Sequence, residues 1–169
     1  MERGCEKIAE LGPLNETELK RFAKNLAEVL QGGEVIILAG ELGSGKTTFV
    51  RGMGSGLEIP EEMIRSPTFT LVNVYPGRLV LNHVDLYRIE KPEQLFYLGL
   101  EEMLEEGEGV LVVEWGDNFE SFWDERLKIE LRVLSESLRR VILYSCMEKG
   151  EEIIREAIRK YQEEFGQVR

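Results

Sequence analysis

A chain of 169 residues, with 43% hydrophobic and 31% charged residues, has the composition of an ordinary globular protein and the length of one domain. No apolar run approaches the roughly 20 residues that cross a bilayer, and the first residues lack the apolar stretch and cleavage site of a secretory signal. The formal charge of −11 excludes general electrostatic binding to nucleic acid or anionic lipid, which requires clustered Lys and Arg. We therefore expect one cytoplasmic domain over residues 1–169, with no membrane contact.

Two details of the composition refine this expectation. The segment 101–125, which we call the acidic segment, carries ten carboxylates and no Lys or Arg, a pattern typical of a solvated face. Cys5 and Cys146 are too few for a disulfide scaffold, in keeping with a cytoplasmic protein. Any contact with RNA would have to be local or made through a partner protein.

The first predicted element is an amphipathic helix. Asn15 followed by Glu18 is a capping pattern that starts it, and Gly32 with Gly33 ends it. Between these points the apolar residues recur at helical spacing: Leu19, Phe22, Ala23, Leu26, Val29 and Leu30. The run Val35–Ala39 that follows is typical of a strand buried on both faces in the middle of a parallel sheet.

A glycine-rich loop, GELGSGKT, comes directly after this strand and fits the pattern G-x-x-x-x-G-K-[ST]. Its glycines let backbone N–H groups turn toward an anion, and the helix predicted from Thr47 adds the positive end of its dipole. Lys46 would reach the β- and γ-phosphates of a nucleoside triphosphate, and Thr47 would offer a hydroxyl to Mg²⁺. We call residues 40–47 the phosphate loop. The predicted nucleotide-binding residues are Gly40, Glu41, Leu42, Gly43, Ser44, Gly45, Lys46, Thr47 and Thr48.

The remaining elements complete a single α/β domain. Segments 68–75 and 78–87 flank Pro76 and Gly77 and predict an antiparallel hairpin. Further along the chain the patterns predict a short helix at Pro92–Leu98, strands at 110–113, 127–133 and 141–144, and a terminal helix at about 151–166. The apolar stripe of that helix is expected to pack on the domain's own sheet rather than in a partner groove: Ile154, Ala157, Ile158, Tyr161 and Phe165. The predicted architecture is a P-loop NTPase-like fold, with a mixed, mostly parallel sheet, one hairpin and flanking helices.

Two carboxylates stand at predicted strand ends. Asp85 and Glu114 each close an apolar run, so both are expected at the carboxyl edge of the sheet beside the phosphate loop. Hydrolysis of a triphosphate needs a carboxylate that holds the metal and a group that orients water. Glu114 follows the purer apolar run and suits the metal, while Asp85 could bind the same metal or orient water, so the two roles stay open. His83, the only histidine, is predicted to be a hydrogen-bonded structural residue.

Four blocks of sequence carry a family resemblance. They are GELGSGKTT at 40–48, SPTFT at 66–70, HVDLYR at 83–88 and VEW at 113–115. In this order, within residues 15–133, they closely resemble the TsaE (YjeE) family, small bacterial P-loop ATPases of the machinery that makes threonylcarbamoyladenosine beside the anticodon of tRNAs. The resemblance implies ATP and Mg²⁺ as ligands and TsaD and TsaB as partners, with tRNA reached only through the complex. It implies that the ATPase resets that complex between cycles, while TsaD transfers the threonylcarbamoyl group.

The same resemblance assigns roles to particular residues. Residues 66–70 correspond to a mobile switch that senses the γ-phosphate, and Asp85 and Glu114 correspond to acidic residues needed with Mg²⁺. Thr68 and Thr70 offer hydroxyls to phosphate, metal or water, and we take Thr68 as a catalytic candidate together with Lys46. The alternative for this segment is a strand entrance in which Thr serves β-propensity. Trp115 is a candidate for lining the nucleotide site, and the resemblance gives the terminal helix no function.

Three function classes fit a phosphate loop: a partner-dependent ATPase subunit, a small-molecule kinase and a non-catalytic nucleotide sensor. A kinase usually adds an arginine-bearing lid, and the acidic segment contains no arginine from which to build one. A GTPase is a still weaker interpretation, because the sequence contains no Asn-Lys-x-Asp element, which reads guanine. Arg88 could cover the transition-state charge, yet a solvated arginine is equally consistent with the sequence. We therefore expect a weak ATPase that is activated in its complex. The aromatic residues at 119–123 suit core packing better than a docking surface.

Overall fold

The computed structural model describes residues 4–67, 70–105, 107–115, 119 and 122–166. Within these residues the strands and α-helices, in chain order, are β1 (Glu6–Leu14), α1 (Glu16–Val29), β2 (Val35–Ala39), α2 (Lys46–Gly56), β3 (Val72–Tyr75), β4 (Val80–Asp85), β5 (Gly109–Glu114), β6 (Arg126–Val133), β7 (Arg139–Cys146) and α3 (Gly150–Gly166). No described helix is long and apolar enough to cross a membrane.

The strands form one mixed sheet in the order β1-β7-β6-β2-β5-β4-β3. The four central strands β6, β2, β5 and β4 run parallel, whereas β3 on one side and β7 and β1 on the other pair antiparallel. The predicted α/β fold with a mixed sheet is confirmed. The sheet is partly parallel: three of its six described strand pairings are parallel and three are antiparallel, because hairpin connections after β3 and β6 and a strand at the amino end make the flanks antiparallel.

Helix α1 begins with the predicted capping box. Asn15 Oδ1 accepts a hydrogen bond from the Glu18 backbone N–H (2.9 Å), and Glu18 Oε1 accepts one from the Asn15 backbone N–H (3.0 Å). The helix lies close against α2, which places Gly52 at the contact: a Cβ there would stand 2.5 Å from the Lys20 carbonyl oxygen. Glycine at this position therefore permits an approach that any side chain would prevent.

The buried strand β2 divides the apolar core into two layers. Ile36 and Leu38 face the core that contains α1, α2 and α3, while Val35 and Ile37 face a second core on the opposite side of the sheet. All five residues of β2 are buried, as predicted for a central strand. The phosphate loop follows β2 directly, so the loop is anchored on a strand that is packed on both faces.

The hairpin has the predicted strand order but different bounds. β3 begins only at Val72, because Leu71 has a φ of 68° and so departs from the extended conformation. Thr68 and Phe69, the start of the predicted strand, lie outside the described residues. The short helix predicted at Pro92–Leu98 is confirmed with the same bounds, and it is a 3₁₀ helix.

The two ends of the chain pack together. Ile154, Ala157 and Tyr161 of α3 are buried, and the Tyr161 ring meets the Phe22 ring of α1 edge-on at 5.9 Å between centroids. The expectation that this stripe packs within the domain is confirmed, although α1 supplies much of the contact surface. Strand β1 was not predicted, and a disulfide that the sequence did not suggest joins Cys5 to Cys146 at the end of β7.

Candidate nucleotide and metal site

The phosphate loop connects the end of β2 to the first turn of α2. Gly40, Gly43 and Gly45 have positive φ values of 152°, 81° and 103°, and Gly45 is the N-cap residue of α2. Residues with a side chain rarely adopt the left-handed backbone conformation of Gly45. Glycine is therefore required where the loop turns into the helix. The Gly45 carbonyl accepts the Phe49 N–H at 2.9 Å, which closes the first turn. The predicted strand, loop and helix are thus in place.

One cavity of about 340 Å³ gathers most of the predicted site residues. Residues 42–48 of the loop line it, together with Asp85, Glu114 and Trp115. Gly40 and Glu41 line a neighbouring cavity, which they share with Trp115. Thr68 lies outside the described residues, and Ser66 brings its segment to the edge of the first cavity.

Asp85 and Glu114 are the last residues of the parallel neighbours β4 and β5 and stand directly side by side in the register. Both are buried, at 3% and 4% exposure. Asp85 Oδ1 accepts a hydrogen bond from the Tyr87 backbone N–H at 2.8 Å, which orients that carboxylate. The prediction that two strand-end carboxylates meet beside the phosphate loop is therefore confirmed as geometry.

His83 lies beneath this pair and is fully buried. Its Nε2 is hydrogen-bonded to Glu114 Oε2 from the adjacent strand, an arrangement in which the imidazole N–H donates to the carboxylate. The sequence predicted a hydrogen-bonded structural histidine, and the structure identifies its partner as the candidate metal-binding carboxylate. His83 thus fixes the direction in which Glu114 points.

Lys46 is buried at the base of the cavity, at 6% exposure. Its Nζ donates to the Gly40 carbonyl oxygen at 2.5 Å and lies 3.7 Å from the centroid of the Trp115 ring. A carbonyl oxygen and an aromatic face both stabilise a cation. The Trp115 ring in turn contacts the ring of Tyr87, with 5.3 Å between centroids. These contacts therefore fix the ammonium group beside the phosphate loop.

Among the described residues, no group of three or more His, Cys, Asp and Glu side chains forms a ready metal cage. A Mg²⁺ ion that accompanies a nucleotide does not require one, because it binds through one or two carboxylates, substrate phosphates and water. Thr47, Asp85 and Glu114 line one cavity and offer this kind of oxygen donor set. The residues present therefore fit a nucleotide-bound Mg²⁺.

Sequence reasoning missed Arg139, which also lines this cavity. Its Nε donates to the Ser44 carbonyl oxygen (2.9 Å) and its Nη2 to the Gly43 carbonyl oxygen (3.2 Å). No sequence motif predicts such a contact, because the partners of Arg139 are backbone atoms 95 and 96 positions earlier in the chain. Arg88, the arginine that the sequence singled out, is exposed, and the residues that line the cavity do not include it.

Another cavity, of about 420 Å³, adjoins the phosphate loop on the side of α1. Its lining residues come from the first turn of α1, from the loop and α2, and from the turn before β7: Asn15, Glu16, Thr17, Leu19, Gly45, Thr48, Glu136, Ser137 and Arg139. Gly45, Thr48 and Arg139 line both this cavity and the cavity of about 340 Å³, so these two form a continuous surface around the start of α2.

The aromatic residues outside the phosphate loop and its cavity divide into buried and exposed sets. Phe119 and Trp123 are 7% and 6% exposed and belong to the second core, which confirms the expectation of core packing for these two. The exposed aromatic side chains lie elsewhere, at Tyr87 next to the site and at Phe96 and Tyr97 in the 3₁₀ helix.

Comparisons with known proteins agree on one family. The family model described as "Threonylcarbamoyl adenosine biosynthesis protein TsaE" matches residues 14–142. A TsaE protein of Treponema pallidum is 44% identical over 122 residues, which cover 72% of this chain and 89% of that protein. A TsaE protein of Aquifex aeolicus is 37% identical over 139 residues, covering 77% and 91% of the two chains. The crystal structure of YdiB from Bacillus subtilis superposes with a TM-score of 0.68 at 31% identity, covering 93% of this chain and 96% of that one.

Proposed function

Because this chain belongs to the TsaE family of tRNA threonylcarbamoyladenosine biosynthesis proteins, we propose that it serves that pathway as a Mg²⁺-dependent ATP-binding and ATP-hydrolysing subunit. One observation carries the proposal: a phosphate loop and two buried strand-end carboxylates line the same cavity. A loop of N–H donors and a lysine suit the phosphates, and carboxylates suit a metal ion and a water molecule.

The two adjoining cavities divide the nucleotide between them. The polyphosphate binds over residues 42–48, which line the first cavity and lead into the amino end of α2, where the N–H groups of a first helical turn favour an anion. The adenosine part occupies the cavity beside the first turn of α1, whose polar groups from Asn15, Thr17 and Ser137 can bond the sugar and base. Thr48 and Gly45 lie at the junction between the two parts.

The hydrolytic roles follow from the positions of the side chains. Lys46 leaves the Gly40 carbonyl oxygen and donates to the β- and γ-phosphates, while Trp115 keeps its aromatic face beside the ammonium. Thr47 and Glu114 would hold Mg²⁺, with His83 fixing the Glu114 carboxylate, and Asp85 would orient water or share the metal. The metal, when bound, neutralises charge on the phosphates. Thr68 and Ser66 belong to the switch segment that senses the γ-phosphate.

The same site explains why a partner is part of the proposal. Lys46 and Arg139 are the described cations that line the phosphate cavity, and the Arg139 guanidinium already donates to loop carbonyls. A second cation beside Lys46, which would cover the γ-phosphate, would therefore come from a partner. Leu42 and Tyr87 lie at the site with 89% and 66% of their surfaces exposed, which suits coverage by another protein. We propose TsaD and TsaB as the proteins that complete the site, and the net charge of −11 favours a basic partner surface.

Nucleotide titration tests the binding half of this proposal. The wild-type protein is expected to bind ATP and ADP in the presence of Mg²⁺, and GTP more weakly, because the sequence lacks a guanine-reading element. The control is Lys160→Ala, which removes a half-buried lysine of α3 that pairs with Glu28 at 3.3 Å and does not line the cavities at the phosphate loop. Absence of nucleotide binding by the wild type, with normal binding of TsaB and TsaD, would leave a non-enzymatic subunit as the better interpretation.

A further inference from the structure

We propose that Arg139 is a positioning residue that holds the phosphate loop in its anion-binding shape, an inference that rests on the proposed function. Arg139 is the first residue of β7 and stands opposite Val133, the last residue of β6. Since β6 is parallel to β2, the turn between β6 and β7 lies at the same edge of the sheet as the phosphate loop. This placement brings the guanidinium of an antiparallel strand to a loop that belongs to the parallel centre.

The guanidinium joins two segments of backbone. On one side Nε and Nη2 donate to the carbonyl oxygens of Ser44 and Gly43, at 2.9 Å and 3.2 Å. On the other side Nη1 donates to the carbonyl oxygens of Ser135 and Leu138, at 2.7 Å and 2.9 Å. Carbonyl oxygens that face away from a bound anion need donors, and the planar fork of an arginine reaches both sets at once. A single side chain thus ties the loop to the β6–β7 turn.

This contact also sets the direction of an N–H group. In a trans peptide the C=O and N–H bonds point in opposite directions. The Ser44 carbonyl accepts from Arg139, so the N–H of Gly45, which belongs to the same peptide unit, points away from the guanidinium. A hydrogen bond at the carbonyl oxygen also polarises the peptide and strengthens its N–H as a donor. Arg139 therefore acts on the phosphate through the backbone that it holds.

A residue that holds the loop in shape affects the binding of ATP and the binding of ADP to a similar degree. ATP and ADP both use the loop, so loss of Arg139 should weaken both to a similar degree and raise KM without a comparable fall in kcat. An arginine that covers the transition state would behave in the opposite way, lowering kcat with little change in ADP affinity. The ratio of these effects separates a positioning residue from a catalytic one.

The test compares Arg139→Ala with Arg140→Ala. Arg140 is the next residue of the same strand, and its Nη1 lies 3.5 Å from Glu10 Oε2, so it controls for removal of an arginine from β7. Removal of charged hydrogen bonds to the loop should weaken ATP and ADP binding about tenfold or more in Arg139→Ala, and Arg140→Ala should bind as the wild type does. Guanidinium ion at low millimolar concentration should restore affinity to Arg139→Ala, whereas equal sodium chloride should not.

Arg139→Lys provides a second variant that retains the charge. One ammonium group cannot reach the Ser44, Gly43, Ser135 and Leu138 carbonyls together, so its affinity should fall between those of the wild type and Arg139→Ala. Melting temperatures of all variants report folding. Unchanged nucleotide affinity in a folded Arg139 variant would overturn this inference alone, as would a loss of kcat without a change in KM. Failure of the wild type itself to bind nucleotide would overturn both this inference and the proposed function.

Discussion

The parallel centre of the sheet and its antiparallel flank are built for different purposes. Where the parallel strands β2, β5 and β4 end, the chain places the phosphate loop, Glu114 and Asp85 around one cavity. The flank formed by β7, β1 and α3 contributes mainly apolar residues to the core. Carboxyl ends of parallel strands meet at one edge and gather polar groups there, whereas antiparallel strands alternate direction and disperse them.

The difference predicts that the two regions respond oppositely to substitution. Changes at the carboxyl edge should remove activity and leave the free energy of unfolding nearly unchanged. Changes in the flank should lower the free energy of unfolding and leave the activity of the folded protein unchanged. Arg139 is the exception, since it belongs to the flank by its strand and to the edge by its contacts.

Lys46→Ala should give the largest effect. Removal of the ammonium that reaches the phosphates is expected to reduce ATP hydrolysis by about 10³-fold and to weaken ATP binding, while the circular dichroism spectrum stays that of the wild type. Steady-state phosphate release and an ATP titration measure the two quantities. If the variant folds normally and hydrolyses ATP at the wild-type rate, the assignment of the phosphate loop to ATP binding is wrong.

Asp85→Ala and Glu114→Ala should each lower hydrolysis by about 100-fold, without a comparable loss of ADP binding. Asp85→Asn and Glu114→Gln keep the shape and test the charge alone. The Mg²⁺ dependence of the rate then separates the two roles. Substitution of the residue that holds the metal should raise the Mg²⁺ concentration needed for the half-maximal rate, and substitution of the residue that orients water should not. Retention of the full rate in either pair of variants would exclude that residue.

Ile154→Ala tests the flank. Ile154 is 1% exposed in the core beneath α3, so the substitution should lower the free energy of unfolding by about 2–5 kcal/mol. Nucleotide affinity at a temperature where the variant is folded should be that of the wild type. Arg155→Ala is the matched control, because it removes only an exposed pair with Glu151 at 3.0 Å. Loss of nucleotide affinity in folded Ile154→Ala would show that the flank shapes the site more than we infer.

His83→Leu should give the smallest effect at the edge. The imidazole holds Glu114 but is not expected to touch the nucleotide, so hydrolysis should fall by about tenfold, with a higher Mg²⁺ requirement. His83→Gln can still donate from its amide to the carboxylate and should recover part of the loss. Equal loss in both variants, with no change in the Mg²⁺ requirement, would point to packing rather than to orientation of Glu114.

The sequence predicted the parallel centre better than the flank. The apolar runs before Gly40, Asp85 and Glu114 are distinct, and the phosphate loop has an unmistakable spacing. Strand β1 was missed because most of its residues are exposed or half-buried and it contains Pro13, features of an edge strand that blur the alternating pattern. Strand β3 begins at Val72 because Leu71 has a positive φ, a departure from extended backbone that no local sequence pattern predicts.

The candidate site was predicted wherever its residues are joined by the chain or end a strand. The pairing of Asp85 with Glu114 follows from two neighbouring parallel strands and could be anticipated. The bond between His83 and Glu114 could not, because it joins diagonal neighbours on the two strands and depends on the direction in which each side chain turns. Arg139 donates to backbone carbonyls, which carry no sequence signature, so only the fold reveals it.

The central claim is that the carboxyl edge forms an ATPase site that a partner completes. Its most direct test is steady-state ATP hydrolysis by the purified chain, first alone and then with TsaB and TsaD, at fixed Mg²⁺ and salt. We predict slow hydrolysis alone and a rise of about 10³-fold with both partners, because a cation supplied in trans covers the γ-phosphate. Hydrolysis by the chain alone at about one per second or faster, unchanged by the partners, would contradict the account and favour an independent enzyme such as a small-molecule kinase.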